Sequence, residues 1–156
     1  MASIFVYGSL IHPTVLKRVL AASGQPDPPA GLPAVLKGYR RHPVLGEAYP
    51  ACIPGPPEGT VQGLLIRGLL PEHIRLLDIF EGDEYAREAV TLVLGADPDD
   101  ASAVRASADV YVWRGPHSRL ALDQEWSFSA FQQRGLVQFL DAYAGYDWVA
   151  SASNAR

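Results

Sequence analysis

The chain opens on a run of β-branched and aromatic residues, Ile4-Phe5-Val6-Tyr7, that stops at Gly8-Ser9. This pattern predicts a buried strand running into a turn. Pro13 suits the first position of a helix, and Val15, Leu16, Val19 and Leu20 recur at helical spacing behind it. One short amphipathic helix is therefore expected, its apolar stripe facing a core. Gly24, Pro26, Pro28, Pro29, Gly31 and Pro33 crowd the next stretch, which predicts a surface connection with neither helix nor ladder.

Residues 35–39 and 49–53 predict two short strands separated by Pro43 and Gly46, and Pro54-Gly55-Pro56-Pro57 is a strong stop. Residues 60–67 predict another strand. Pro71 suits a second helix start, with Ile74, Leu77 and Phe80 on an expected buried face, Glu72, Arg75 and Asp78 on a wet one, and Gly82 as a left-handed cap. Residues 85–94 and 104–113 read as strands that pair in an antiparallel hairpin. Ser129 and Gln132 match a capping box, opening a last helix marked by Phe131, Leu136, Phe139, Leu140 and Tyr143 and closed near Gly145. Strands outnumber helices and several follow one another through short turns. The expected fold class is α+β, with a curled or barrel-like mixed sheet flanked by short helices. A single domain over residues 1–149 and a disordered tail over 150–156 are expected.

Composition narrows the function classes. With 48% apolar and 19% charged residues the chain is of globular type. The formal charge of −4, with no basic run beyond Arg40-Arg41, gives no footprint for a phosphate backbone, so no nucleic acid partner is expected. No apolar run reaches the roughly 18 residues of a membrane span, and a cytoplasmic protein without membrane association is expected. The single cysteine, Cys52, has no internal disulfide partner.

Two segments carry candidate chemistry. A glycine straight after a strand, as in Tyr7-Gly8-Ser9-Leu10, lets backbone approach a ligand and turns successive N–H groups one way, as a carboxylate would require. An ordinary tight turn before a helix explains the same tetrapeptide. Asp78, Glu81, Asp83 and Glu84 put four carboxylates in eight residues. Glu81 falls at a helix C-terminus, where the dipole disfavours negative charge by roughly 0.3–1 kcal/mol. A carboxylate kept there has either a use or free hydration. The spacing lacks the alternating ligands of a calcium loop. His12, His42, His73 and His117 are scattered without zinc spacing, so no metal is expected. Cys52 as a nucleophile served by His12 or His42 has no surrounding signature, and there is no Gly-x-Ser-x-Gly elbow.

Phe5-Val6-Tyr7-Gly8-Ser9-Leu10, Leu36-Lys37-Gly38-Tyr39, Tyr49-Pro50, Val61-Gln62-Gly63 and the stretch from Leu77 through Glu81-Gly82 and Tyr85 to Arg87, taken in this order, resemble the gamma-glutamylcyclotransferase-like family. Val110-Tyr111-Val112-Trp113 and Glu125-Trp126-Ser127-Phe128 resemble its branch named after avirulence-induced plant proteins. The resemblance implies a small mixed β-barrel flanked by helices and an enzyme that splits a gamma-glutamyl amide or amine into 5-oxoproline and a free amine, with no cofactor. It places Tyr7, Gly8, Ser9 and Leu10 at the substrate, Glu81 as the catalytic acid/base and Tyr85 on the pocket wall. The implied partner is a small-molecule gamma-glutamyl substrate, and the protein a monomer or homodimer. The animal cyclotransferases carry Asn where this chain has Leu10, which removes a polar side chain from the loop. A non-catalytic gamma-glutamyl or glutathione-binding module, or a glutathione-dependent transferase or isomerase, is the alternative.

Overall fold

The computed structural model describes residues 2–136. Alternation along the strands divides the core. Strand β1 (Ala2–Val6) turns Phe5 inward and Ile4 and Val6 outward. The same period of two places Ala34 and Leu36 of β2 (Leu32–Lys37), Val61 and Leu65 of β5 (Thr60–Leu69), Leu92 of β6 (Tyr85–Leu94), and Ala108, Val110 and Val112 of β7 (Arg105–Trp113) in one cluster with Phe5. These five strands close into a barrel in the order β1-β5-β2-β6-β7. Neighbours are antiparallel except for the β1–β7 pair, which is parallel and makes the sheet mixed. Closure leaves no free edge in the barrel. Strands β3 (Tyr39–Pro43) and β4 (Pro50–Pro54) form a separate antiparallel hairpin.

Helices α1 (Pro13–Leu20) and α2 (Pro71–Glu81) cover the outward residues of β1 and β5, so Val15, Val19, Leu76 and Leu77 share a cluster with Ile4, Val6 and Ile66. Both helices start at the expected prolines. His12 caps α1 by accepting from the Thr14 N–H at 3.2 Å, and His73 accepts from the Leu70 N–H at 3.1 Å at the start of α2. A last helical segment starts at Phe128–Ala130 and continues as a π-helical turn, Phe131–Gly135.

Several expectations are corrected. The strand expected over 35–39 is broken by Gly38, which turns the chain out of the barrel, so Tyr39 belongs to the hairpin instead. The surface connection ends earlier than expected, because Pro33 lies in β2 opposite Leu64, near a strand start where its missing N–H is tolerated. The buried side of α2 is formed by His73, Leu76, Leu77 and Ile79, while Ile74 and Phe80 are only partly covered. Gly82 has φ 79° and ψ −167°, positive but extended rather than left-handed helical, a combination essentially confined to glycine. The cap of the last segment is Ser127, whose Oγ accepts from the Ala130 N–H at 3.2 Å, in place of Ser129. The continuation of that helix through Phe139, Leu140, Tyr143 and Gly145, and the tail over 150–156, lie outside the described residues. Among the described residues no helix is long and apolar enough to cross a membrane.

Candidate active site

Where β1 leaves the barrel, Gly8 leads into a 3-10 turn, Ser9–Ile11, closed by the Ile11 N–H on the Gly8 carbonyl at 3.0 Å. The N–H groups of Ser9 and Leu10 precede that first bond and so have no partner within the turn. Gly8 is required by its neighbour: a Cβ there would meet Pro50 Cδ at 2.8 Å. Ser9 and Leu10 are buried.

The last residue of α2, Glu81, faces the same cavity, about 90 Å³ in volume. Where one water needs roughly 10–15 Å³, this is room for about six to nine atoms the size of a water molecule. Tyr7, Gly8, Ser9 and Leu10 form one side, and Phe80, Glu81 and Tyr85 the other. The structure thus brings together all six residues singled out in the sequence, although the turn and Glu81 are separated by more than half of the described chain. Among the described residues lining the cavity there is no Lys, Arg or His.

The environment of Glu81 is unusual for a carboxyl. Burial, with Asp78 one turn earlier on α2 adding repulsion, raises it from its ordinary 4.5 to about 8. It is therefore available both as an acid and as a base near neutral pH. Tyr7 is held as the neutral phenol. Burial is the first cause, followed by Cys52, Tyr85 and Glu81, and its hydroxyl donates to the Tyr111 carbonyl at 2.5 Å. Tyr85 donates to the Pro50 carbonyl at 2.8 Å and meets Trp113 edge-on at 5.3 Å, which fixes the ring on the cavity wall. Tyr111 donates to Asp78 Oδ1 at 2.7 Å, and Arg87 pairs with the same carboxylate at 2.8 Å. Glu84, at the rim, pairs with Arg119.

Sequence reasoning missed Tyr49, Pro50, Glu84 and Tyr111 as lining residues. Tyr49-Pro50 and Tyr111 did stand in the motifs that carry the family resemblance. The proposed thiol chemistry fares poorly. Cys52 is fully buried among the barrel residues and does not line the cavity, and burial pushes its thiol up to about 12 despite the nearby Arg41. His42 meets the Gln124 carbonyl at 2.7 Å and His12 caps α1, which gives neither a role beside Cys52.

Comparison with known proteins identifies the family. The family model described as gamma-glutamyl cyclotransferase, AIG2-like, matches residues 4–128. Protein AIG2 B of Arabidopsis thaliana is 32% identical over 139 residues, covering 89% of this chain and 75% of that protein. A solution structure of another Arabidopsis thaliana protein superposes with a TM-score of 0.63 at 27% identity, covering 92% of this chain and 79% of the other. The crystal structure of a yeast gamma-glutamyl cyclotransferase specific to glutathione shares the fold, with a TM-score of 0.52 at 15% identity and coverage of 74% and 72%. The chain belongs to the gamma-glutamyl cyclotransferase, AIG2-like family.

Proposed function

We propose that this protein is a gamma-glutamylcyclotransferase-type enzyme that converts a gamma-glutamyl amide or amine into 5-oxoproline and a free amine, with Glu81 as the acid/base. The observation that carries the reading is the pairing, in one small cavity, of a desolvated carboxyl with a turn whose first N–H groups have no partner within the turn. The family supports the reaction type, and the yeast protein that shares the fold is a gamma-glutamyl cyclotransferase specific to glutathione.

The chemistry requires little beyond these parts. The substrate's α-amine loses a proton and attacks its own γ-carbonyl carbon. A C–N bond forms, closing a five-membered ring, and the bond to the leaving nitrogen breaks as that nitrogen gains a proton. One carboxyl that accepts the first proton and returns the second balances the reaction. Glu81 takes that role, since its displaced ionisation keeps both forms accessible near neutral pH. Binding of the α-carboxylate by the N–H groups of the turn would fold the substrate into reach, and such alignment is worth about 7–11 kcal/mol. Phe80 and Tyr85 narrow the cavity beside Glu81 and limit water there.

The test is release of 5-oxoproline from a panel of gamma-glutamyl dipeptides and gamma-glutamyl amines by the native protein and by Glu81→Gln. Turnover of at least one substrate, lost in the variant, is expected. Calorimetric binding without product by the native protein would instead identify a binding module, and undiminished release by Glu81→Gln would remove the carboxyl from the mechanism.

A further inference from the structure

The cavity poses an electrostatic problem. It is lined by Glu81 and Glu84, and among the described lining residues no cationic side chain offsets an incoming carboxylate. Burying an anion without compensation is costly. A positive charge does reach the residue before the turn, from outside the cavity lining. Arg41, on β3, does not line the cavity, but its Nη1 donates to the Tyr7 carbonyl at 2.5 Å and to the Gln62 carbonyl at 3.1 Å. Its guanidinium lies over the Trp126 ring, 5.2 Å from the centroid, and Trp126 is fixed in turn by its indole N–H donating to the Ala48 carbonyl at 2.9 Å.

The carbonyl that Arg41 grips belongs to the same peptide unit as the Gly8 N–H. That unit is planar and trans, so the N–H leaves it on the side opposite the guanidinium. A charge-assisted bond at the oxygen also polarises the amide and strengthens its N–H as a donor. Burial pushes the guanidinium somewhat down from its usual range, but an arginine stays charged at any physiological pH.

We propose that Arg41 is the positioning residue of the anion site: through the Tyr7–Gly8 peptide it orients and polarises the turn, so that the turn selects a carboxylate over a neutral carboxamide. This deepens the reading above and rests on the turn holding the substrate's α-carboxylate. A residue that only pinned the hairpin to the barrel would affect both kinds of ligand alike.

The experiment measures, by calorimetry, the affinities of native protein, Arg41→Lys and Arg41→Met for 5-oxoproline and for its neutral amide, with thermal unfolding of each variant alongside. Native protein is expected to prefer the acid at least tenfold. Arg41→Met brings the preference within about twofold of unity while affinity for the amide changes little, and Arg41→Lys retains an intermediate preference. An unchanged acid-to-amide ratio in a folded Arg41→Met, or an equal loss for both ligands, would overturn the proposal. If Arg41→Met does not fold, amide NMR of the native protein decides: the Gly8 N–H must shift downfield with the acid and not with the amide, and no shift with the acid overturns it. Native protein that binds neither ligand would instead sink the reading of the turn on which the proposal rests.

Discussion

Asp78 and Glu81 stand one turn apart on α2, and the two sides of that helix end differ in what surrounds a carboxyl. The Asp78 side chain accepts from Tyr111 and pairs with Arg87, which also reaches Asp109 at 3.2 Å; about 40% of it is exposed to solvent. Glu81 instead faces the cavity, where burial and Asp78 both act to keep it protonated. Residue type and local sequence are nearly the same, so the contrast shows that surroundings decide which acid can exchange a proton near pH 7. The partnered carboxylate also contributes to tuning the other one, through repulsion across a single helical turn.

The largest expected break in this contrast is Glu81→Gln. Turnover should fall by roughly 10² to 10⁴, read as 5-oxoproline release under saturating substrate. Stability should move the other way. The folded carboxyl ionises near 8 and the ordinary one near 4.5, so the folded chain holds an extra proton between those values. The stability this contributes is complete below about 4.5 and lost as pH rises through about 8. Glu81→Gln removes the penalty of the buried charge. At about 1.4 kcal/mol per unit over the interval from 4.5 to about 8, the variant should be more stable than native by up to about 5 kcal/mol at pH 9, and nearly equal at pH 4, in urea titrations.

Gly8→Val acts on the opposite wall. Its Cβ would sit 2.8 Å from Pro50 Cδ and would have to displace that ring, and the turn would move with it. Loss of alignment by about 1 Å can cost about 100-fold, so kcat/KM should fall roughly 10- to 100-fold, with the high-pH stability curve unlike that of Glu81→Gln. Asp78→Asn sharpens the contrast with a smaller effect. Removing the like charge moves the rising limb of the kcat/KM profile from about 8 to lower pH. Midpoints measured on both proteins with one substrate check the direction. The smallest effect belongs to a pair remote from this helix end. Lys37 and Asp99 meet at 3.5 Å with Asp99 largely exposed, and Lys37→Ala should change stability by less than about 0.5 kcal/mol and leave the pH profile in place.

Much of the fold was legible in local pattern. Ile4-Phe5-Val6 against Gly8, and Pro13 and Pro71 ahead of apolar stripes, marked the elements that carry the site. The β6–β7 hairpin was equally plain, since its partners are neighbours in sequence. The barrel was expected from the run of adjacent strands and from the family resemblance, but the pairing that closes it was not legible, because the parallel β1–β7 pair joins the two ends of the sheet and has no local turn to announce it. Ser127 and Ser129 both had a cap's chemistry. Contacts of Trp126 with Phe128 and Phe131, at 6.3 and 5.6 Å, accompany the choice of Ser127, and such tertiary packing leaves no mark in a four-residue motif. Within the site, Glu81 and the turn stood out because glycine and clustered acids are conspicuous. Arg41 did not, for a strand arginine beside Arg40 reads as surface charge until its carbonyl partners are seen.

Direct titration of the Glu81 side-chain carboxyl by carbon-13 NMR, with and without 5-oxoproline, probes whether the turn and this acid serve one ligand. A midpoint near 8 that shifts when 5-oxoproline binds is the expected result. A midpoint near 4.5, indifferent to the ligand, would contradict it.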